Sequence, residues 1–195
     1  MAHEVQATSA SPPIVQFSTV SQFEKIWSSR GSGAMEGRFF RPQAPPGWFL
    51  LGDYAQNNFL APTGTVFAIR VDNDDEEFPG LKEPQKWVRV WSSKGSKADN
   101  PGSLWVPIPH FGYVTCGHAV AAGLNVEPYI PNFRCLRYDL ATSVKLGGLI
   151  WNDRHSHADT DVSVYRVNVL NVFWAIPSYN TPTEMAKIPT ALSSS

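Results

Sequence analysis

The sequence predicts an all-β domain, and three observations carry that expectation. Charged residues make up 17% of the 195 and aromatic residues 12%, a weakly charged and aromatic balance suited to half-buried strands. The chain is punctuated by 14 glycines and 16 prolines, and its apolar runs are short, without the period of a helix. One set of landmarks also recurs three times, which points to a repeat architecture rather than to two unrelated small domains.

Taken in order, Met1 to Pro13 offers neither a basic cap nor an apolar core, so residues 1–13 read as a flexible segment without a conventional secretion signal. Ile14-Val15-Gln16-Phe17 is the first strand. The first anchor follows in Ile26-Trp27-Ser28-Ser29-Arg30-Gly31-Ser32-Gly33-Ala34. The second reads Val90-Trp91-Ser92-Ser93-Lys94-Gly95-Ser96-Lys97-Ala98, and the third Ile150-Trp151-Asn152-Asp153-Arg154-His155-Ser156-His157-Ala158. The anchor tryptophans are 64 and 60 residues apart.

An aromatic residue stands 13 or 14 positions after each anchor, at Phe40, Trp105 and Tyr165. A second follows eight positions later, at Trp48, Tyr113 and Phe173, and opens an apolar run each time. The expectation is that the first set, with the tryptophans, fills equivalent core positions. A closing element, apolar and ending in arginine, appears as Val66-Phe67-Ala68-Ile69-Arg70 and as Phe133-Arg134-Cys135-Leu136-Arg137. The third unit shows none, because the chain from Ser178 to Ser195 turns Pro-, Thr- and Ser-rich. The strand at 14–17 is therefore expected to complete unit three and close a ring.

The predicted architecture is a pseudo-threefold β-prism of about twelve strands in three sheets, with a β-trefoil as the alternative. Units of this length exceed the roughly 40 residues of a trefoil repeat and favour the prism. The expected organisation is a single domain over 14–177, with repeats at about 27–80, 91–140 and 151–177 plus the N-terminal strand, followed by a C-terminal tail at 178–195.

Phe23-Glu24-Lys25-Ile26-Trp27, Phe39-Phe40-Arg41-Pro42, Pro45-Pro46-Gly47-Trp48-Phe49-Leu50-Leu51-Gly52-Asp53 and Trp151-Asn152-Asp153-Arg154 to Asp161-Val162-Ser163-Val164-Tyr165-Arg166 resemble the vacuolar protein sorting-associated protein 62 family of fungi and plants. The likeness runs from about residue 14 to residue 177. The Pro-Gly-aromatic and apolar-x-Arg elements also look like those of the multivesicular-body-associated β-prism domain, a membrane-associating module. The resemblance implies a prism and a link to vacuolar trafficking, and brings no catalytic residues with it. His155 and His157 depart from it, standing where unit one has Gly31 and Gly33.

Function is less legible. A net charge of −1 removes the electrostatic attraction on which non-specific nucleic-acid binding depends, so no nucleic-acid partner is expected. Apolar runs such as Trp48-Phe49-Leu50-Leu51 and Val172-Phe173-Trp174-Ala175-Ile176 are far short of the roughly 20 residues that span a bilayer. No phosphate loop, nucleophile elbow or zinc-protease helix occurs, so the chain is expected not to be an enzyme.

The leading reading is a module that binds a glycan or a lipid surface, cytoplasmic and peripheral at endomembranes. A protein-interaction adaptor in vacuolar trafficking and a cytolytic or insecticidal defence protein are the alternatives. Candidate ligand residues lie in the three post-anchor loops: Arg30, Gly31, Ser32, Gly33, Lys94, Gly95, Ser96, Asp153 and Arg154. Glycine-rich turns can present backbone N–H groups to hydroxyls or anions, and they also simply build tight turns. No resident cofactor is expected. If unit three is extended here, Asp153 together with His155, His157, Asp159 and Asp161 could hold a divalent cation. Cys116 and Cys135 read as buried thiols, and His118 as a surface histidine.

Overall fold

The computed structural model describes residues 11–193. Unit one comprises β1 (Ile14–Val20), β2 (Phe23–Ser28), β3 (Arg38–Pro42), β4 (Tyr54–Gln56) and β5 (Val66–Asp72). Unit two comprises β6 (Leu81–Lys82), β7 (Lys86–Ser92), β8 (Gly102–Ile108), β9 (Tyr113–Val114), β10 (Ala119–Ala122) and β11 (Cys135–Arg137). Unit three comprises β12 (Ala141–Lys145), β13 (Leu149–Asn152), β14 (Ser163–Val167), β15 (Val172–Ile176) and β16 (Met185–Pro189).

Three sheets are equivalent: β2-β3-β4, β7-β8-β10 and β13-β14-β15. Each breaks register immediately before its anchor, between Lys25 and Trp27, Arg89 and Trp91, and Leu149 and Trp151. The irregularity is a β-bulge. One extra residue (Ile26, Val90, Ile150) resets the strand's alternation and turns the following tryptophan into the core. Phe40, Trp105 and Tyr165 then pair with Lys25, Arg89 and Leu149 respectively, so the first aromatic landmark is in register in all three units. Phe40 and Trp105 are buried as expected, and Tyr165 is half-buried.

The remaining strands join the first and last element of each unit: β1 to β5, β6 to β11 (which also takes β9), and β12 to β16. This corrects several sequence-based expectations. Sixteen strands in six small sheets, not about twelve in three, make up the described residues, and no barrel of the trefoil kind closes. The N-terminal strand pairs within unit one, Phe17 opposite Ile69, and does not complete unit three. Unit three supplies its own closing strand from the segment read as a tail, with Ile188 opposite Thr142. Ala186 and Ile188 are buried while Met185 is exposed, and that alternation makes the short run a strand despite its Pro/Thr-rich surroundings. Of the N-terminal flexible segment, residues 1–10 lie outside the described residues.

The second aromatic landmark is out of register in unit three. Phe40 faces Tyr54, Trp105 faces Ala119 and Tyr165 faces Trp174, so Asp53, His118 and Phe173 are the equivalent residues. A tight turn at Asn168–Asn171 replaces the longer connections that carry Trp48 and, on β9, Tyr113. Val169 and Asn171, both with positive φ, make that turn possible.

The units contact one another in a closed cycle. Asp53 N–H donates to the His118 carbonyl (2.9 Å), His118 N–H to that of Phe173 (3.0 Å), and Phe173 N–H to that of Asp53 (3.0 Å). Beside this ring sit Trp27, Trp91 and Trp151, all buried, edge to face, with centroids 5.5–5.7 Å apart. Such contacts add to the large area each ring removes from water. Each indole N–H reaches into the next unit's loop: Trp27 to the Asn100 carbonyl (2.8 Å), Trp91 to that of Thr160 (3.0 Å), and Trp151 to that of Met35 (2.9 Å).

Candidate binding clefts in the third unit

The three post-anchor loops are built alike. Ser32, Ser96 and Ser156 donate backbone N–H groups to the carbonyls of Ser29, Ser93 and Asp153, each at 3.0 Å. Their hydroxyls accept from Ala34, Ala98 and Ala158. The serine hydroxyls thus stabilise the turns themselves, as serines in tight turns commonly do.

The glycines serve contact between loops. Gly31, at φ 81°, leaves room for Asp99 of unit two, and a β-carbon there would lie 2.2 Å from the Asp99 carboxylate. Gly95, at φ 88°, does the same for Asp159 of unit three. Backbone bonds from Asp99 N–H to the Arg30 carbonyl and from Asp159 N–H to the Lys94 carbonyl, both 2.8 Å, lock these junctions. Lys94 also approaches Asp159 at 3.8 Å, on the surface, where such a pair contributes little.

Unit three departs from this pattern at several points. His155 and His157 hold the left-handed backbone of the glycines they replace, with φ of 69° and 60°. For residues with a β-carbon that conformation is strained by about 1 kcal/mol or more. It also breaks the extended row in which residues 155 to 161 were expected to face one way. Among the described residues, no three His, Cys, Asp or Glu side chains gather as a metal ion would require.

Asp153 stands where the other units have Ser29 and Ser93. Like those serines it accepts a local backbone N–H, here from Val162 at 2.9 Å. Its carboxylate accepts two more bonds, from the Trp91 indole (2.9 Å) and the Tyr179 hydroxyl (2.6 Å). Buried and fully engaged, it positions its neighbours rather than offering itself to a ligand. Burial and the Asp153 carboxylate push the Tyr179 phenol well above its ordinary pKa.

Tyr179 is a site residue that sequence reasoning missed. It lies five positions beyond Trp174, as Phe59 does beyond Tyr54 and Leu124 beyond Ala119. Arg154 lies over the Tyr179 ring at 4.3 Å, and Arg30 over Phe59 at 4.5 Å. Unit two has Lys94 and Leu124, and no aromatic face. Tyr179, His155, His157, Asp161 and Asp153 line a shallow cleft of about 290 Å³. The exposed Asp159 points its interactions to unit two instead.

The other titratable residues read from the sequence are structural. His118 is buried, not on the surface. Its Nδ1 accepts the Ala175 N–H at 2.9 Å, its ring stacks on Trp174 at 4.2 Å, and burial holds its pKa down to about 3. Cys116 and Cys135 are free, buried thiols, and desolvation raises the pKa of both, that of Cys135 to about 12.

These observations define a β-rich repeat protein of the β-prism type, with an open cleft beside the anchor loop of its third unit. A solved structure supports that class: GNIP1Aa from Chromobacterium piscinae superposes with a TM-score of 0.76 at 25% identity, over 87% of this chain and 34% of that one. The chain therefore spans about a third of that protein's length. It belongs to the vacuolar protein sorting-associated protein 62 family, whose model matches residues 13–172. No curated protein matches it. Among the described residues no helix is long and apolar enough to cross a membrane.

Proposed function

We propose that the protein is a non-enzymatic binding module, built as a pseudo-threefold β-prism, whose third unit recognises a glycan through the cleft beside its anchor loop. One observation carries the reading: the features found in unit three alone, His155, His157 and the Tyr179 hydroxyl, converge on a single open cleft. Positions alike in all three units are accounted for by turns and packing. Strained, unlike residues are where function is expected to be stored. Imidazoles, a carboxylate and a phenol alternate donors and acceptors there, as the hydroxyls of a sugar require.

The test is a glycan array probed with the wild-type protein and with Tyr179→Leu, which installs the unit-two residue. Binding by wild type with loss in the variant is the expected result. An array without wild-type binding, using folded protein, overturns the reading.

A second reading, contact with a membrane surface, draws on a different feature. Phe78, Phe111 and Tyr138 are exposed large aromatics on three adjoining segments, just before β6, just before β9 and just after β11. The Tyr138 N–H donates to the Gly112 carbonyl at 3.0 Å, and the Arg137 guanidinium holds the Phe78 carbonyl. Aromatic rings with polar surroundings suit the headgroup region of a bilayer, and the near-zero net charge suits neutral lipid. This reading places the chain at the cytoplasmic face of endomembranes. Flotation on phosphatidylcholine vesicles, reduced by Phe111→Ser, is its signature. A protein-interaction adaptor would instead retain its partners in detergent.

A further inference from the structure

A second cleft of unit three, on its seam with unit one, carries an arginine without a counter-charge. Arg41 of unit one and Arg166 of unit three are equivalent, each following the first aromatic landmark (Phe40, Tyr165). Both donate to a backbone carbonyl of the next unit's third strand, Arg41 to Val120 (2.5 Å) and Arg166 to Ala55 (2.6 Å). Arg41 is neutralised by the buried carboxylate of Asp53 at 2.9 Å, which also accepts the Val120 N–H. In unit three the position of Asp53 is taken by Phe173. Unit two has Val106 in place of the arginine and so needs no partner.

Arg166 is thus left, mostly buried, with no carboxylate in ion-pair distance among the described residues. Its remaining contacts are the Asn171 carbonyl (3.1 Å) and the face of Tyr54 (5.0 Å). A desolvated cation without a counter-ion is costly, and burial depresses its pKa. It opens onto a cleft of about 330 Å³ that is also lined by Gln56, Asn57, Asn58, Thr63 and Asn168. Gln56 is saturated by internal bonds, whereas the amide N–H groups of Asn57, Asn58 and Asn168 donate to no protein group among the described residues.

We propose that this cleft binds a small oxyanion, the phosphate or carboxylate of a sugar-like polyol, with Arg166 as the charge partner and the asparagine amides as donors to ring hydroxyls. A planar guanidinium with free N–H groups matches a two-oxygen acceptor, and amides match hydroxyls. The cleft is distinct from the one beside Tyr179, so this proposal stands or falls separately from the glycan reading.

Isothermal titration with glucose 6-phosphate, glucuronate and glucose tests it, alongside pelleting with phosphatidylcholine vesicles that carry phosphatidylinositol 4-phosphate. The two arms distinguish a soluble oxyanion from a lipid-borne one. Charged probes are expected to bind at least about tenfold more tightly than glucose, with affinity falling as salt rises. Arg166→Met abolishes that binding. Because Arg166 also supports the seam, Asn57→Asp provides the second variant: it places a carboxylate in the cleft, leaves the fold intact by circular dichroism, and weakens oxyanion binding by at least about tenfold. No binding in either arm, or binding that Asn57→Asp leaves unchanged, overturns the proposal.

Discussion

The N–H of Phe173 donates to the carbonyl of Asp53 at 3.0 Å, closing a cycle of three backbone bonds through residues that hold the same place in three repeats. The backbone keeps one pattern while the side chains diverge into a carboxylate, an imidazole and a phenyl ring. Asp53 receives Arg41 and Val120, His118 receives Ala175, and Phe173 packs in the central core. Repeat positions that stay alike hold the molecule together. Those that diverge set the chemistry of each seam.

The tryptophan cluster is expected to dominate stability unequally. Trp91→Phe removes the indole donor from both the buried Asp153 carboxylate and the Thr160 carbonyl, whereas Trp27→Phe removes one from the Asn100 carbonyl alone. Adding lost packing to a buried Asp153 Oδ2 left without its donor, Trp91→Phe costs about 3 kcal/mol. Trp27→Phe costs less. Urea denaturation of the two variants checks the order, and the reverse order contradicts the role given to Asp153.

The C-terminal strand is expected to be indispensable. Removal of residues 184–195 takes away β16, with buried Ala186 and Ile188, and leaves β12 without its partner. Loss of the isoleucine alone costs about 2 kcal/mol in buried area, before any backbone bonds are counted. Thermal unfolding of the truncated chain therefore shows a large drop in Tm. An unchanged Tm would return this segment to the status of a tail.

Acid lability is expected from His118. In the folded protein its pKa is held at about 3, against 6.5 in the unfolded chain. Below pH 6.5 the unfolded state binds the extra proton, so the contribution of neutral His118 is complete above pH 6.5 and is lost as pH falls towards 3. The slope reaches about 1.4 kcal/mol per pH unit inside that window. His118→Asn retains an acceptor for the Ala175 N–H and removes the titration. Stability measured from pH 7 to pH 4 falls less steeply in that variant, and parallel curves would place the acid sensitivity elsewhere.

Much of this fold was legible from local pattern, and what was not legible depended on long-range choice. The anchors Trp27, Trp91 and Trp151 and the first aromatics Phe40, Trp105 and Tyr165 were readable because every unit repeats the same bulged hairpin. Phe173 misled because the Asn168–Asn171 turn shortens unit three, and an aromatic landed at the expected interval on the wrong strand position. The partner of the N-terminal strand is decided by pairing across 46 to 58 residues, which periodicity does not encode. Of the site, His155 and His157 stood out as replaced glycines. Tyr179 did not, because only the strand register shows that it answers to Phe59 and Leu124. Arg166 became visible only when the partner of Arg41 had been located in space.

The central claim is that unit three keeps strained residues for binding rather than for folding, and the double substitution His155→Gly, His157→Gly tests it most directly. Glycine relieves the left-handed backbone while adding unfolded-state entropy, so folding stability should change by less than about 1 kcal/mol. Titration of both proteins with a glycan captured by the wild type should then show binding lost in the variant at nearly equal stability. Undiminished binding would contradict the claim, as would a variant destabilised by several kcal/mol, since the histidines would then serve the fold.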